Sequence, residues 1–84
     1  MSRKHDRTLK DIFNIPPLSS VKWKDIETLL VHLGAKIEEG RGSRLRVTLN
    51  REEAVFHRPH PRKEIDKGAL VSVRRFLENA GVNS

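Results

Sequence analysis

Arg44-Leu45-Arg46-Val47-Thr48-Leu49, Asn50-Arg51-Glu52 and Glu53-Ala54-Val55-Phe56-His57-Arg58 form the stretch on which the fold turns. The first six residues alternate without a break. Leu45, Val47 and Leu49 share one face, and Arg44, Arg46 and Thr48 share the other. A period of two with one apolar face marks a half-buried antiparallel strand. Asn50-Arg51-Glu52 reads as a turn. Glu53 to Arg58 then reads as a second strand, with Val55 and His57 opposite Ala54 and Phe56.

On the N-terminal side, Gly40-Arg41-Gly42-Ser43 supplies two glycines for another turn. Ala35 to Glu39 before it reads as a short, partly polar strand. Short turns force these three strands to be antiparallel neighbours. Residues 22–33 form an amphipathic helix, because Trp23, Ile26, Leu29, Leu30 and Leu33 follow one three-four stripe. Asp66 to Asn79 forms another, with Leu70, Val73, Phe76, Leu77 and Ala80 on one side. Gly34 and Gly81 stand where helix stops are expected. The fold class is α+β, in the order α-β-β-β-α, with both helices covering the one apolar face of the sheet.

Residues 1–20 are an added arm and linker, and residues 21–82 are the domain proper. A short helix from Asp6 to Asn14 places Leu9, Ile12 and Phe13 on one side, with Asp6 as its cap. Pro16 and Pro17 end it and open a linker through Ser20. Residues 1–8 are polar, and His5 falls in a mobile tail. The arm either packs on the domain or orders with a partner, and Ile12 and Phe13 favour packing.

With 84 residues the chain supports one domain with a small core. It contains no cysteine, so neither a disulfide nor a thiolate zinc site contributes. No apolar run approaches the length of a membrane span, and the natural location is the cytoplasm. The net charge of +6 and a pI of about 10.3 favour an anionic partner. The charge is spread evenly: residues 1–20, 21–50 and 51–84 each carry two more cations than anions.

The densest cluster of chemistry is Phe56-His57-Arg58-Pro59-His60-Pro61-Arg62-Lys63. Its prolines hold the backbone extended, so cations and imidazoles stand on a stiff connection at the surface. His57 and His60 could supply the base and the acid of a transesterification. As a metal pair they lack further ligands nearby except Glu64, so no metal is expected. Arg58, Arg62 and Lys63 read as contacts to a phosphate backbone. Lys67 with Gly68 opens the last helix, whose positive end suits a phosphate. Arg44 and Arg46 share the outward strand face and could clamp phosphates there. The bland readings are ordinary ones: cations that keep an exposed face soluble, a His57 that packs at a strand end, and a solvated basic loop. His32, late in its helix, suits a helix-end role rather than catalysis. Trp23 belongs to the buried stripe rather than to a base-stacking platform, and exposed aromatic candidates of the cold-shock or RRM kind are lacking.

Three pieces of the sequence resemble the HicA toxins of bacterial toxin–antitoxin pairs, whose fold is like a double-stranded-RNA-binding domain. They are helix 22–33 with Leu33-Gly34-Ala35, the Gly42-Ser43 turn before an apolar strand, and Val55 to Pro61 with Glu64-Ile65, Lys67-Gly68 and Ala80-Gly81-Val82. The resemblance implies a small messenger-RNA interferase that needs neither metal nor cofactor, and a cognate antitoxin that silences it. In that family a histidine just after the Gly-Ser turn is thought to move the proton. Here that position is Arg44. An arginine can bind phosphate and stabilise a developing anion, but it does not exchange protons near neutral pH. The tentative catalytic set is therefore Arg44, His57 and His60. The RNA-binding set is Arg44, Arg46, His57, Arg58, His60, Arg62, Lys63 and Lys67. The alternatives are a toxin with altered cleavage, or a non-catalytic RNA-binding or partner-binding module on the same fold.

Overall fold

Six elements follow one another: α1 (Arg3–Phe13), α2 (Trp23–His32), β1 (Lys36–Glu39), β2 (Arg44–Leu49), β3 (Glu52–His57) and α3 (Lys67–Asn79). The computed structural model describes residues 3–18, 20–59 and 63–83. The strands form one antiparallel sheet in the order β1-β2-β3, so the alternating strand is central. The α+β class and the α-β-β-β-α order with an added N-terminal helix are those expected from the sequence.

The β2–β3 hairpin is tighter than the sequence suggests. Asn50 and Arg51 both adopt positive φ, at 49° and 72°. This combination closes a hairpin in two residues with the twist that strands prefer. Leu49 therefore pairs with Glu52, and β3 begins one residue earlier than expected. Asn50 Nδ2 donates to the Ala80 carbonyl at 2.8 Å, fixing the turn to the end of α3.

Leu45 and Val47 of β2 are fully buried and Leu49 nearly so, while Arg44 and Arg46 are exposed. Phe56 of β3 explains why both helices lie on the apolar face. Its ring lies 6.0 Å from Trp23 of α2 and 5.8 Å from Phe76 of α3, the second contact edge-on. Such aromatic contacts favour defined angles as well as burial. α2 and α3 also end alike. Ala35 N–H donates to Leu30 O and Val82 N–H to Leu77 O, around Gly34 and Gly81 at φ 93° and 85°. Left-handed glycines permit this closure at little steric cost.

The helix starts differ. Asp66 caps α3 by accepting from Ala69 N–H at 2.8 Å. α2 has no side-chain cap at Lys22. Instead Trp23 N–H donates to Lys63 O, Ile65 N–H donates to Val21 O, and Lys22 bridges Glu64 as an isolated antiparallel pair. The entrances of the two helices are thus buckled together.

α1 begins at Arg3, so Asp6 lies within its first turn rather than capping it. Leu9 and Ile12 join the common core. Arg74 of α3 donates to the Ile12 and Asn14 carbonyls at 3.0 and 2.8 Å, and Lys4 meets Asp25 at 3.3 Å. His5 does not belong to a mobile tail. It sits on α1 with its ring centroid 4.5 Å from that of His32 on α2. The radius of gyration of 11.7 Å is close to the value of about 12 Å expected for a compact domain of this length.

Candidate functional site

The site follows from the period of β2. Residues that alternate away from the core must share the outer face of the sheet. Arg44 stands directly opposite His57, and Arg46 opposite Val55. Arg58 N–H donates to Ser43 O at 2.9 Å. Because bonded and non-bonded pairs alternate along an antiparallel ladder, Arg44 and His57 form the close, non-bonded kind. Their side chains leave the sheet side by side, about 5 Å apart at Cβ. Both residues are exposed.

The arginine side of this pair opens onto a depression of about 340 Å³, lined by Glu38, Gly40, Arg41, Arg44, Arg46 and Val55 among others. Gly40 N–H donates to Arg44 O at 2.8 Å, which holds the end of β1 against Arg44. A Cβ at Gly40 would meet the Arg44 side chain at ordinary contact distance, so that side chain lies over the glycine. Arg46 has Glu53 at 3.9 Å across the hairpin, a loose and solvent-exposed ion pair. Such pairs add little to stability, which leaves Arg46 able to turn to another anion. Arg41, a cation inside the 40–43 turn, is a further lining residue that the turn pattern alone does not mark as part of a site.

Arg58 is engaged differently from the expectation that it grips a backbone phosphate. Its Nε donates to Glu27 at 2.8 Å and its Nη1 to Glu39 at 2.7 Å. Glu27 also accepts from the indole N–H of Trp23. The hydrogen bond to Glu27, followed by that to Glu39, pushes the Arg58 guanidinium still further above its already high range. The two carboxylates come from α2 and β1, so no local inspection of the basic run reveals them. Successive strand residues point to opposite faces, and Arg58 follows His57 directly. The fold thus separates Arg58 from the Arg44–His57 pair.

Lys63 is exposed beside the bridge at Lys22, and Lys67 is exposed at the first position of α3. Asp66 already occupies the capping place at that helix end. His60 and Arg62 lie outside the described residues. The expected His57–His60 pair and the full basic run therefore lie partly outside the described residues. Among the described residues, no group of three or more His, Asp or Glu side chains could hold a metal ion. Among them also, no helix is long and apolar enough to cross a membrane.

Residues 23–82 match the family described as the HicA toxin of bacterial toxin–antitoxin. The match begins at the first residue of α2 and ends just past the glycine stop of α3. The chain belongs to this family, the toxin half of toxin–antitoxin pairs. α1 lies outside the matched span. No curated protein and no solved structure matches the chain significantly.

Proposed function

We propose that this toxin acts on messenger RNA in the cytoplasm as a metal-independent endoribonuclease, and that a cognate antitoxin silences it. In this reading residues 21–82 are the acting unit and residues 1–20 an extension. The observation that carries it is the pairing of Arg44 with His57 on an exposed strand face. A fixed cation beside an imidazole can hold a phosphate while a proton moves. His57 takes the proton of a 2′-hydroxyl, and that oxygen attacks the adjacent phosphorus. Arg44 offsets the charge that gathers on the non-bridging oxygens. The bond from phosphorus to the 5′-oxygen breaks, and the leaving oxygen takes a proton from a second acid, the role read for His60. Arg46, Lys63 and Lys67, with Arg62, bind neighbouring phosphates, and Arg58 braces the sheet end.

Induction of the chain should arrest growth, and the purified protein should cut messenger RNA in the presence of EDTA. Arg44→His, which restores the family's proton-moving residue, should speed the cut. Intact RNA together with normal growth would sink the nuclease reading. One observation favours a second reading: Arg44 is the residue type least able to exchange a proton near neutral pH. A module that only grips RNA would retain salt-sensitive binding after His57→Ala and lose it with Arg44→Ala or Lys63→Ala.

A further inference from the structure

A second depression lies off the sheet. It lies between α1 and the entrance of α2, has a volume of about 440 Å³, and is lined by Arg3, Lys4, Arg7, Asp11, Lys22 and Asp25 among others. Four cations therefore face two carboxylates. Lys4 is held by Asp25 at 3.3 Å. Arg3, Arg7 and Lys22 form no ion pair with any described residue. Three unspent cations on one concave surface repel one another at little benefit to the fold, which is the signature of a surface awaiting an anion.

The position of this cleft gives it a partner. Lys22 pairs with Glu64, and Trp23 N–H donates to the Lys63 carbonyl. The cleft therefore ends about 5 Å, one strand spacing, from the segment that carries Lys63 and leads to Lys67. Arg3 and Arg7 are one helical turn apart on α1, so they extend the same line of charge.

We propose that α1 and Lys22 form a second RNA-backbone track, which continues from Lys63 and holds the strand beyond the Arg44–His57 pair. The proposal rests on the RNA reading above. It assigns a binding task to a helix that lies outside the family match. It also predicts a footprint longer than the sheet face alone requires, within the range of several nucleotides common to single-strand grooves.

The test uses the full chain and fluorescent 2′-O-methyl oligoribonucleotides, which cannot be cut by attack of a 2′-hydroxyl. Binding is titrated over a series of salt concentrations with strands of about five and about twenty nucleotides. The triple variant Arg3→Gln, Arg7→Gln, Lys22→Gln should bind the long strand about tenfold more weakly, with a salt slope shallower by about 2. The short strand should bind as before, and Arg75→Gln, on α3 and not among the residues that line the cleft, should change neither value. If the triple variant loses its native circular dichroism, Lys22→Gln alone carries the test, with a slope change of about 0.7. Short-strand binding together with an unchanged long-strand slope overturns the track and leaves the RNA reading standing. Failure of the native chain to bind either strand overturns both. Unchanged RNA binding with lost retention of a polyglutamate peptide assigns the cleft to an acidic protein and also overturns it.

Discussion

The two faces of β2 are built from the same six residues and answer to different demands. On the inner face, Leu45, Val47 and Leu49 are excluded from water and locked by neighbours from β3 and the helices. On the outer face, Arg44 lies over Gly40 and Arg46 makes a loose ion pair with Glu53, and both side chains are exposed. Their identity is thus little constrained by packing. A residue on the inner face reports on stability, whereas one on the outer face reports on whatever the protein meets.

That contrast can be broken or sharpened by substitution. The largest effect expected is on the outer face. His57→Ala should lower the rate of RNA cleavage by about 10²–10⁴-fold, the usual worth of a positioned proton-transfer group. Stability should stay within about 0.5 kcal/mol of the native chain, as for other exposed sites. Single-turnover cleavage and urea denaturation on the same preparation separate the two. A large loss of stability would show that His57 packs structurally, contrary to the contrast drawn. On the inner face, Leu45→Ala should cost about 2–5 kcal/mol. Denaturant midpoints read this directly, and any fall in cleavage should track the unfolded fraction.

A smaller effect is expected where the two faces meet. Glu27→Ala removes the acceptor of the Trp23 indole N–H, a loss of about 1 kcal/mol. It also frees Arg58 from one carboxylate, so RNA affinity should rise slightly while stability falls. Equal or weaker RNA binding would mean that the brace matters more than the released charge. Arg58 adds no pH dependence near neutrality. Its folded pKa is raised, so its stabilising effect is complete below the unfolded value and is lost only at far more alkaline pH. The smallest change is Arg51→Gly. Relief of positive φ should stabilise the hairpin by about 0.5 kcal/mol after the added freedom of the unfolded chain is deducted.

Where one element decides its own pattern, the residues announced the structure. The alternation of residues 44–49, the stripe through Trp23 and Leu30, and the stops at Gly34 and Gly81 all follow from local geometry. The Arg44–His57 pair follows as well, once the hairpin register is known. What escaped the reading depends on how elements meet. Arg58 finds Glu27 and Glu39 at separations of 31 and 19 residues. Lys22 finds Glu64 only because two helix entrances converge. His5 reads as tail because residues 1–8 are polar; Ile12 and Phe13 favour the packing that is found, but nothing local extends the helix back to Arg3 or sets His5 against His32 of α2.

The buckle between Val21–Trp23 and Lys63–Ile65 also acts on the basic run beside it. Arg58 is moored to Ser43, Glu27 and Glu39 at one end of the run, and Lys63 is moored to Trp23 at the other. The two ends are therefore set by the fold itself: the sheet and α2 fix where Arg58 stands, and the entrance of α2 fixes where Lys63 stands. A partner that engages both Arg58 and Lys63 meets two cations whose backbone positions are already built, and is spared the cost of ordering those two ends.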